Sequence, residues 1–191
     1  MIKKLIGWHA TLAQSLNHLE PFALLGARLV VARVFLLSGL AKWNGLFSFE
    51  PVTYDLFLYE FFCPEELRPG ALILCEDVVE GTYSESMLWW IERFAELAGV
   101  MEIALPLLLI AGLFSRASAI GLLIMTLVIE FFVFPDAASF WGSHVWWGIA
   151  ALIVIARGPG LLSLDALFGL DRPKGTRIDQ EVTDKTDEAG A

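Results

Sequence analysis

Ionisable side chains inside apolar stretches are the residues of this sequence best placed to do chemistry. Glu102 lies within the stretch from Phe94 to Arg116, FAELAGVMEIALPLLLIAGLFSR, which is long enough to cross a bilayer. An ionised carboxylate near the membrane centre costs at least roughly 2.5 kcal/mol, so it needs a cation, a proton or water. Pro106 cannot donate the backbone hydrogen bond that would close on the Glu102 carbonyl. Glu102 is therefore interpreted either as half of a structural ion pair or as a working group.

Other charged residues fall within or at the ends of further apolar stretches. Arg28 and Lys42 suit anchoring at opposite interfaces, because their long side chains can reach the membrane surface. Arg33 lies about 7 Å deeper than Arg28 by helical rise, and we expect it to pair with Glu102. We predict one buried polar cluster, facing inward and open to the outside, that comprises Arg28, Arg33, Lys42, Glu96, Glu102, Glu130 and His144.

The chemistry open to such a cluster is limited by the motifs present in the sequence. The cluster could bind a polar headgroup, relay protons or orient a quinone ring. His144 taken alone is more typical of an interfacial polar residue than of a ligand, and no predicted span contains a second histidine for a bis-histidine haem. The spacing of His9 and His18 does not favour a metal site. No metal motif, Gly-rich phosphate loop, nucleophile elbow or basic nucleic-acid patch is found.

The composition is that of a polytopic membrane protein. Of 191 residues, 57% are hydrophobic and 18% are charged, and the net charge of -9 comes from one loop and the tail. We predict an all-α membrane four-helix bundle without a removed signal peptide. The predicted organisation is an interfacial amphipathic helix at 1–21 that ends at Pro21, a four-span domain at 22–170 with spans at about 22–43, 94–114, 117–134 and 143–157, and a disordered cytoplasmic tail at 171–191.

A large extracytoplasmic loop between spans 1 and 2 contains both cysteines. Cys63 and Cys75 are twelve residues apart. In an oxidising compartment a disulfide between them would contribute about 3 kcal/mol through loop closure. The spacing is not CxxC, so a structural bridge is favoured over a redox-active pair. Basic residues near the span ends place both termini in the cytoplasm and this loop on the opposite side of the membrane.

Four segments, in this order, carry a family resemblance. They are ARLVVARVFLLSGLAKW with Arg28 and Lys42, MEIALPLLLIAGLFSR with Glu102, TLVIEFFVFPDA, and His144 followed by ARGPGLLSLDALF. In these segments the chain resembles the DoxX family of small bacterial four-span membrane proteins, over most of residues 22–170.

The resemblance implies an integral protein of the bacterial cytoplasmic (inner) membrane. The family is named for a component associated with a quinone-reducing, sulfur-oxidising membrane complex, and some relatives are linked to oxidative-stress oxidoreductase assemblies. By this analogy we expect a subunit of a quinone-linked membrane oxidoreductase, with quinone as its cofactor and partner subunits in the lipid bilayer. The alternatives are a small-solute or lipid transporter or binding protein and a non-catalytic scaffold, and a homo-oligomer is also left open.

Overall fold

The computed structural model describes residues 8–9, 12, 14–45, 48–63, 69–70 and 83–171. Its helices are α1 (Gln14–Leu40), α2 (Pro51–Asp55, continued as a π-helix over Leu56–Phe62), α3 (Glu85–Ala111), α4 (Ser115–Val133), α5 (Ala137–Arg157) and α6 (Leu164–Leu167). Four of these, α1, α3, α4 and α5, are long and apolar enough to cross a membrane. The predicted all-α membrane four-helix bundle is confirmed.

The N-terminal part of α1 differs from the prediction. Pro21 was expected to end a separate interfacial helix, but it lies in the first turn of the α-helix Glu20–Leu40, directly after a 3₁₀ turn at Asn17–Leu19. Proline is tolerated in a first turn because the missing N–H would have no partner there. The prediction that Pro21 ends the helix is therefore wrong. The division into segments 1–21, 22–170 and 171–191 stays a prediction, because residues 1–7 and 172–191 lie outside the described part of the chain.

Two spans begin earlier than predicted because polar residues cap their first turns. α3 begins at Glu85, where the Ser84 hydroxyl accepts the Met87 N–H at 3.3 Å. α5 begins at Ala137, after Asp136, whose carboxylate accepts the N–H groups of Ala138 and Ser139 at 3.0 and 2.9 Å. His144 therefore lies inside α5 instead of at its start.

The four spans pack as a ring in which α1 contacts α3 and α5, and α4 contacts the same two helices. Apolar side chains fill the centre, and further large apolar side chains such as Leu107, Ile124 and Leu152 are exposed on the outside. An apolar exterior suits contact with acyl chains. The buried residues of this core are Val31, Ala32, Phe35, Leu109, Ala119, Leu122, Ala151 and Val154.

The two ends of the bundle differ in what covers them. On one end, here called the loop side, α2 packs on α3 through a second apolar cluster that contains Phe57, Cys63, Ile91 and Ala95. On the other end, here called the terminal side, α1 begins, α5 ends, and the segment 158–171 with α6 folds back onto the turn between α3 and α4. Each end holds its own set of polar side chains.

Candidate functional site

Lys42 and Glu102 form an ion pair in the loop-side half of the bundle. Lys42 Nζ lies 2.5 Å from Glu102 Oε2, and the side chains are only 12% and 6% exposed. Lys42 Nζ also donates to Ser38 Oγ at 3.0 Å, so two of the three ammonium N–H groups are used. The second carboxylate oxygen of Glu102 has no hydrogen-bond partner among the described residues. One donor and one acceptor therefore remain available at this pair.

Gly39 allows α1 and α3 to approach closely at this point. A Cβ atom at residue 39 would lie 2.9 Å from the carbonyl carbon of Glu102, so a larger residue would not fit without displacement of a backbone. Lys42 follows one turn later, with its N–H donating to the Gly39 carbonyl at 3.0 Å. Trp43 also links this turn to α3, since its indole N–H donates a hydrogen bond to the Gly99 carbonyl of α3 at 3.3 Å.

A cavity of about 560 Å³ lies beside the ion pair. Its walls come from the end of α1, from α2, and from long stretches of α3 and α4. The polar side chains among its described lining residues are Ser38, Lys42 and Glu102. The other lining residues are Phe57, Phe61, Phe62, Phe94, Leu97, Ala98, Met101, Leu105, Gly121, Ile124, Met125, Val128, Ile129, Phe132, Val133 and Phe134.

The cavity opens sideways, between α3 and α4. Leu97 and Met101 on the α3 edge, and Ile124 and Val128 on the α4 edge, line the cavity and are also exposed on the outer surface. In a bilayer, exposed apolar positions on spanning helices face acyl chains. A lipid-dissolved molecule can therefore reach the cavity without crossing the aqueous phase.

Glu130 and His144 form a second pair, between α4 and α5. The His144 Nδ1 lies 2.5 Å from Glu130 Oε2, and the imidazole is buried beside the Trp147 ring at a centroid distance of 5.0 Å. Phe134 is 6.4 Å from the imidazole and lines the cavity, whereas Glu130 and His144 are not among its described lining residues. This pair lies outside the cavity wall.

Glu96 joins α3 to α2 on the loop side. The Tyr54 hydroxyl donates to Glu96 Oε1 at 2.9 Å, and Arg93 Nη1 lies 2.6 Å from Glu96 Oε2. Burial raises the pKa of Tyr54, and the hydrogen bond to Glu96 raises it further, because ionisation would place two negative charges side by side. Glu96 therefore anchors the start of α2.

Arg28 belongs to the terminal side. Its side chain is buried, with Nη1 donating to the carbonyls of Pro159 and Leu162 at 2.8 and 2.9 Å and Nη2 donating to Ile110 at 3.2 Å. The expectation that Arg28 extends to the membrane surface is wrong. The segment after α5 folds back and supplies the carbonyl oxygens that replace water around the guanidinium.

Asp165 is a structural residue that the sequence reasoning missed. Its buried carboxylate accepts the backbone N–H groups of Phe114 and Ser115, each at 2.8 Å, and so caps the start of α4. Its own N–H donates to the Gly112 carbonyl at 2.8 Å. The available signal was an acidic residue inside the apolar run LLSLDALF, two residues after the helix-capping residue Ser163.

Arg33 is exposed on α1 and does not pair with Glu102, which pairs with Lys42. Six residues separate Arg33 from Gly39, so at 3.6 residues per turn its side chain points about 120° away from the face that meets α3. The prediction of this pairing is wrong. The seven residues predicted to form one cluster lie at separate places. Lys42 pairs with Glu102, and Glu130 pairs with His144. Glu96 contacts α2, Arg28 lies on the terminal side, and Arg33 is exposed.

Cys63 is buried at the end of α2 and is disulfide-bonded. It packs in the loop-side cluster with Phe57, Ile91 and Ala95. Its predicted partner, Cys75, lies outside the described residues, so the pairing stays a prediction. Within the described ranges no group of three His, Cys, Asp or Glu side chains could hold a metal ion.

One protein-family model matches a segment of the chain that forms part of the cavity wall. The DoxX family model matches residues 83–135, a segment that contains Glu102 and the cavity walls formed by α3 and α4. Comparisons with curated proteins and with solved structures found no match. The family match confirms the resemblance to DoxX over residues 83–135, and the four membrane-length helices identify an integral membrane protein.

Proposed function

We propose that the chain is a subunit of a quinone-linked membrane oxidoreductase and that its cavity binds the quinone ring. The observation that carries this proposal is the apolar cavity beside the Lys42–Glu102 ion pair. Its volume of about 560 Å³ suits a small organic ligand, and its few polar groups are gathered at one place. The sideways opening suits a ligand that is dissolved in the bilayer.

Lys42 and Glu102 can form hydrogen bonds with both the oxidised and the reduced form of a quinone. The third N–H of Lys42 can donate to a quinone carbonyl oxygen. The second oxygen of Glu102 would accept a hydrogen bond from a quinol hydroxyl. Phenylalanine rings such as Phe57, Phe62 and Phe132 supply apolar surfaces for the ring. Electrons would come from a partner subunit.

Binding of a soluble quinone analogue tests the proposal. The protein is reconstituted in lipid nanodiscs and titrated with decylubiquinone. We expect the double variant Lys42→Met/Glu102→Gln, which removes the donor and the charged acceptor together, to weaken binding by about tenfold or more, as expected for the loss of one or two hydrogen bonds to charged groups. The matched control is Glu130→Gln, which changes a carboxylate outside the cavity and should leave the affinity unchanged. Equal affinity of the double variant and the wild type would contradict the proposal.

The same sideways opening supports one alternative, a lipid-binding or lipid-transporting protein. The two functions differ in what occupies the cavity after purification in mild detergent. Mass spectrometry of the extracted ligand should find quinone at a fixed ratio to protein under the first proposal and phospholipid under the alternative. Co-purification in the same detergent identifies the partner subunits that an oxidoreductase role requires.

We further propose that the protein lies in a bacterial inner membrane with its terminal side in the cytoplasm. Arg116 and Arg157 lie on the terminal side, in agreement with the excess of basic residues on cytoplasmic surfaces. The test uses a membrane-impermeant maleimide on intact cells and single-cysteine variants made in a chain with Cys63 and Cys75 replaced by serine. Ser86→Cys on the loop side should be labelled and Leu167→Cys on the terminal side should not. The reverse labelling pattern would indicate the opposite topology and contradict this proposal.

A further inference from the structure

We infer that the outer face of α1 around Arg33 is an interface, and that it binds a membrane-spanning helix of a partner protein that carries a carboxylate at the same depth. The inference starts from a cation that the bundle leaves exposed on a membrane-length helix. It goes beyond the proposed function, because Arg33 is not among the described lining residues of the cavity. Quinone binding and this interface can therefore be tested separately.

Arg33 lies near the middle of the apolar part of α1. By helical rise it is about 16 Å from Phe22 and about 10 Å from Leu40, the last residue of the helix, whereas the hydrocarbon region of a bilayer is about 30 Å thick. An arginine close to the end of a span can extend its side chain to the headgroups. From the position of Arg33 the guanidinium reaches them only if the bilayer thins locally or admits water.

The side chain of Arg33 lies on the outside of the bundle. It is exposed, and it forms no hydrogen bond or ion pair with the described part of the chain. Its neighbours one turn away on the same face are Leu29, Val30 and Leu37, which are 44%, 55% and 52% exposed. Arg33 is thus a single charge surrounded by apolar side chains that face acyl chains in a bilayer.

A carboxylate on a partner helix complements this face. An unpaired guanidinium is unfavourable in hydrocarbon, and charged residues within spans usually pair with one another or face the interior of a bundle. A carboxylate can accept two parallel hydrogen bonds from the planar guanidinium. The apolar part of the same helix would pack on Leu29, Val30 and Leu37. The face therefore combines an apolar surface with a charge that requires an anion at mid-span.

A second copy of this chain does not supply that anion. Among the described residues, the carboxylates furthest inside the spans are those of Glu102 and Glu130, and both are already ion-paired and only 6% and 16% exposed. Glu20, Glu92 and Glu96 are more exposed, but they lie toward the ends of their helices. The chemistry of this face therefore favours a helix from a different protein.

Association with a synthetic membrane-spanning peptide tests the inference. The full chain is reconstituted in phosphatidylcholine vesicles with a dansyl-labelled polyleucine peptide that has one central aspartate, and energy transfer from the seven tryptophans of the chain reports binding. The comparison peptide has leucine in place of the aspartate. We expect the wild type to bind the aspartate peptide about tenfold more tightly, through one charge-assisted contact between helices. Arg33→Leu should bind both peptides equally, and Arg33→Lys should keep part of the preference.

The matched control is Arg157→Gln, which removes an exposed arginine at the end of α5 that is already paired with Glu20. This variant should keep the wild-type preference. Thermal unfolding of Arg33→Leu should match that of the wild type, because no described contact within the chain depends on the guanidinium. A lost preference in a variant of unchanged stability would support a direct contact between Arg33 and the peptide.

Three results would overturn the inference. The first is equal binding of the two peptides by the wild type. The second is a preference for the aspartate peptide that persists in Arg33→Leu, since it must arise at another surface. The third is dimerisation of the chain, or retention of added phosphatidylglycerol, that depends on Arg33 while the peptides bind equally. That result would assign the face to a second copy or to a lipid headgroup.

Discussion

Gly39 of α1 lies directly against the backbone of Glu102 in α3, at a distance that leaves no room for a side chain. A Cβ atom at residue 39 would lie 2.9 Å from the Glu102 carbonyl carbon and 3.0 Å from its oxygen. Because Lys42 follows one turn after Gly39, this contact determines which cation meets the Glu102 carboxylate. The polar end of the cavity thus depends on the absence of a side chain at Gly39.

Substitution of this glycine should therefore separate the two helices. We expect Gly39→Ala to lower the free energy of unfolding by about 1–3 kcal/mol, because backbone atoms cannot move aside as the end of a side chain can. Thermal unfolding in detergent measures the change. The control is Gly26→Ala on the same helix, where a Cβ atom meets nothing within 4 Å and alanine favours the helix. A Gly39→Ala variant as stable as Gly26→Ala would show that the contact is not restrictive.

Removal of one member of the buried ion pair should be more damaging than removal of both. Glu102→Gln leaves the Lys42 ammonium unpaired and should destabilise the protein by about 3–5 kcal/mol, whereas Lys42→Met/Glu102→Gln should recover most of that loss. Denaturant unfolding of the two single variants and the double variant measures the coupling. Arg157→Gln is the control, because the Arg157–Glu20 pair is 64% and 43% exposed and should contribute at most about 1 kcal/mol. Additive effects of the two buried substitutions would contradict the prediction.

The Asp165 cap should matter more than an exposed cap of the same chemistry. Asp165→Ala leaves the N–H groups of Phe114 and Ser115 unpaired in a buried position and should destabilise the protein by about 2–3 kcal/mol. Asp136→Ala removes the exposed cap of α5, whose N–H groups can bond to water instead, and should destabilise the protein less than Asp165→Ala. Thermal unfolding of both variants tests this order, and equal losses would indicate that burial adds nothing to the Asp165 contact.

The raised pKa of Tyr54 predicts a loss of stability at high pH. Since burial and Glu96 hold the folded-state pKa above the ordinary value of about 10, the stabilisation is fully present below that value and is lost as pH rises through the folded-state pKa. Ultraviolet absorbance of tyrosinate follows the titration, and the difference between wild type and Tyr54→Phe isolates this residue. Glu96→Gln should lower the Tyr54 pKa. A Tyr54 titration at the ordinary pKa in wild type would contradict the hydrogen bond.

Much of the fold follows from the sequence alone. Runs of about 20 apolar residues can only cross a bilayer as helices, because each backbone polar group must find its partner inside the segment. Glu102 could also be recognised as a residue that needs a partner, since an isolated charge in that setting is costly. The start of α3 at Glu85 was less predictable, because Glu92 and Arg93 interrupt the apolar run and the turns before them pack on α2.

Only the tertiary structure decided which partners meet. Arg33 and Lys42 were both candidates for Glu102, and the choice depends on the rotation of α1 about its axis, which the Gly39 contact sets. Arg28 donates to the backbone carbonyl of Ile110 at the end of α3, and the Asp165 carboxylate accepts the backbone N–H of Phe114 at the start of α4. Every residue carries such groups, so no pattern of side chains along the sequence could have indicated which of them would bind these two charges.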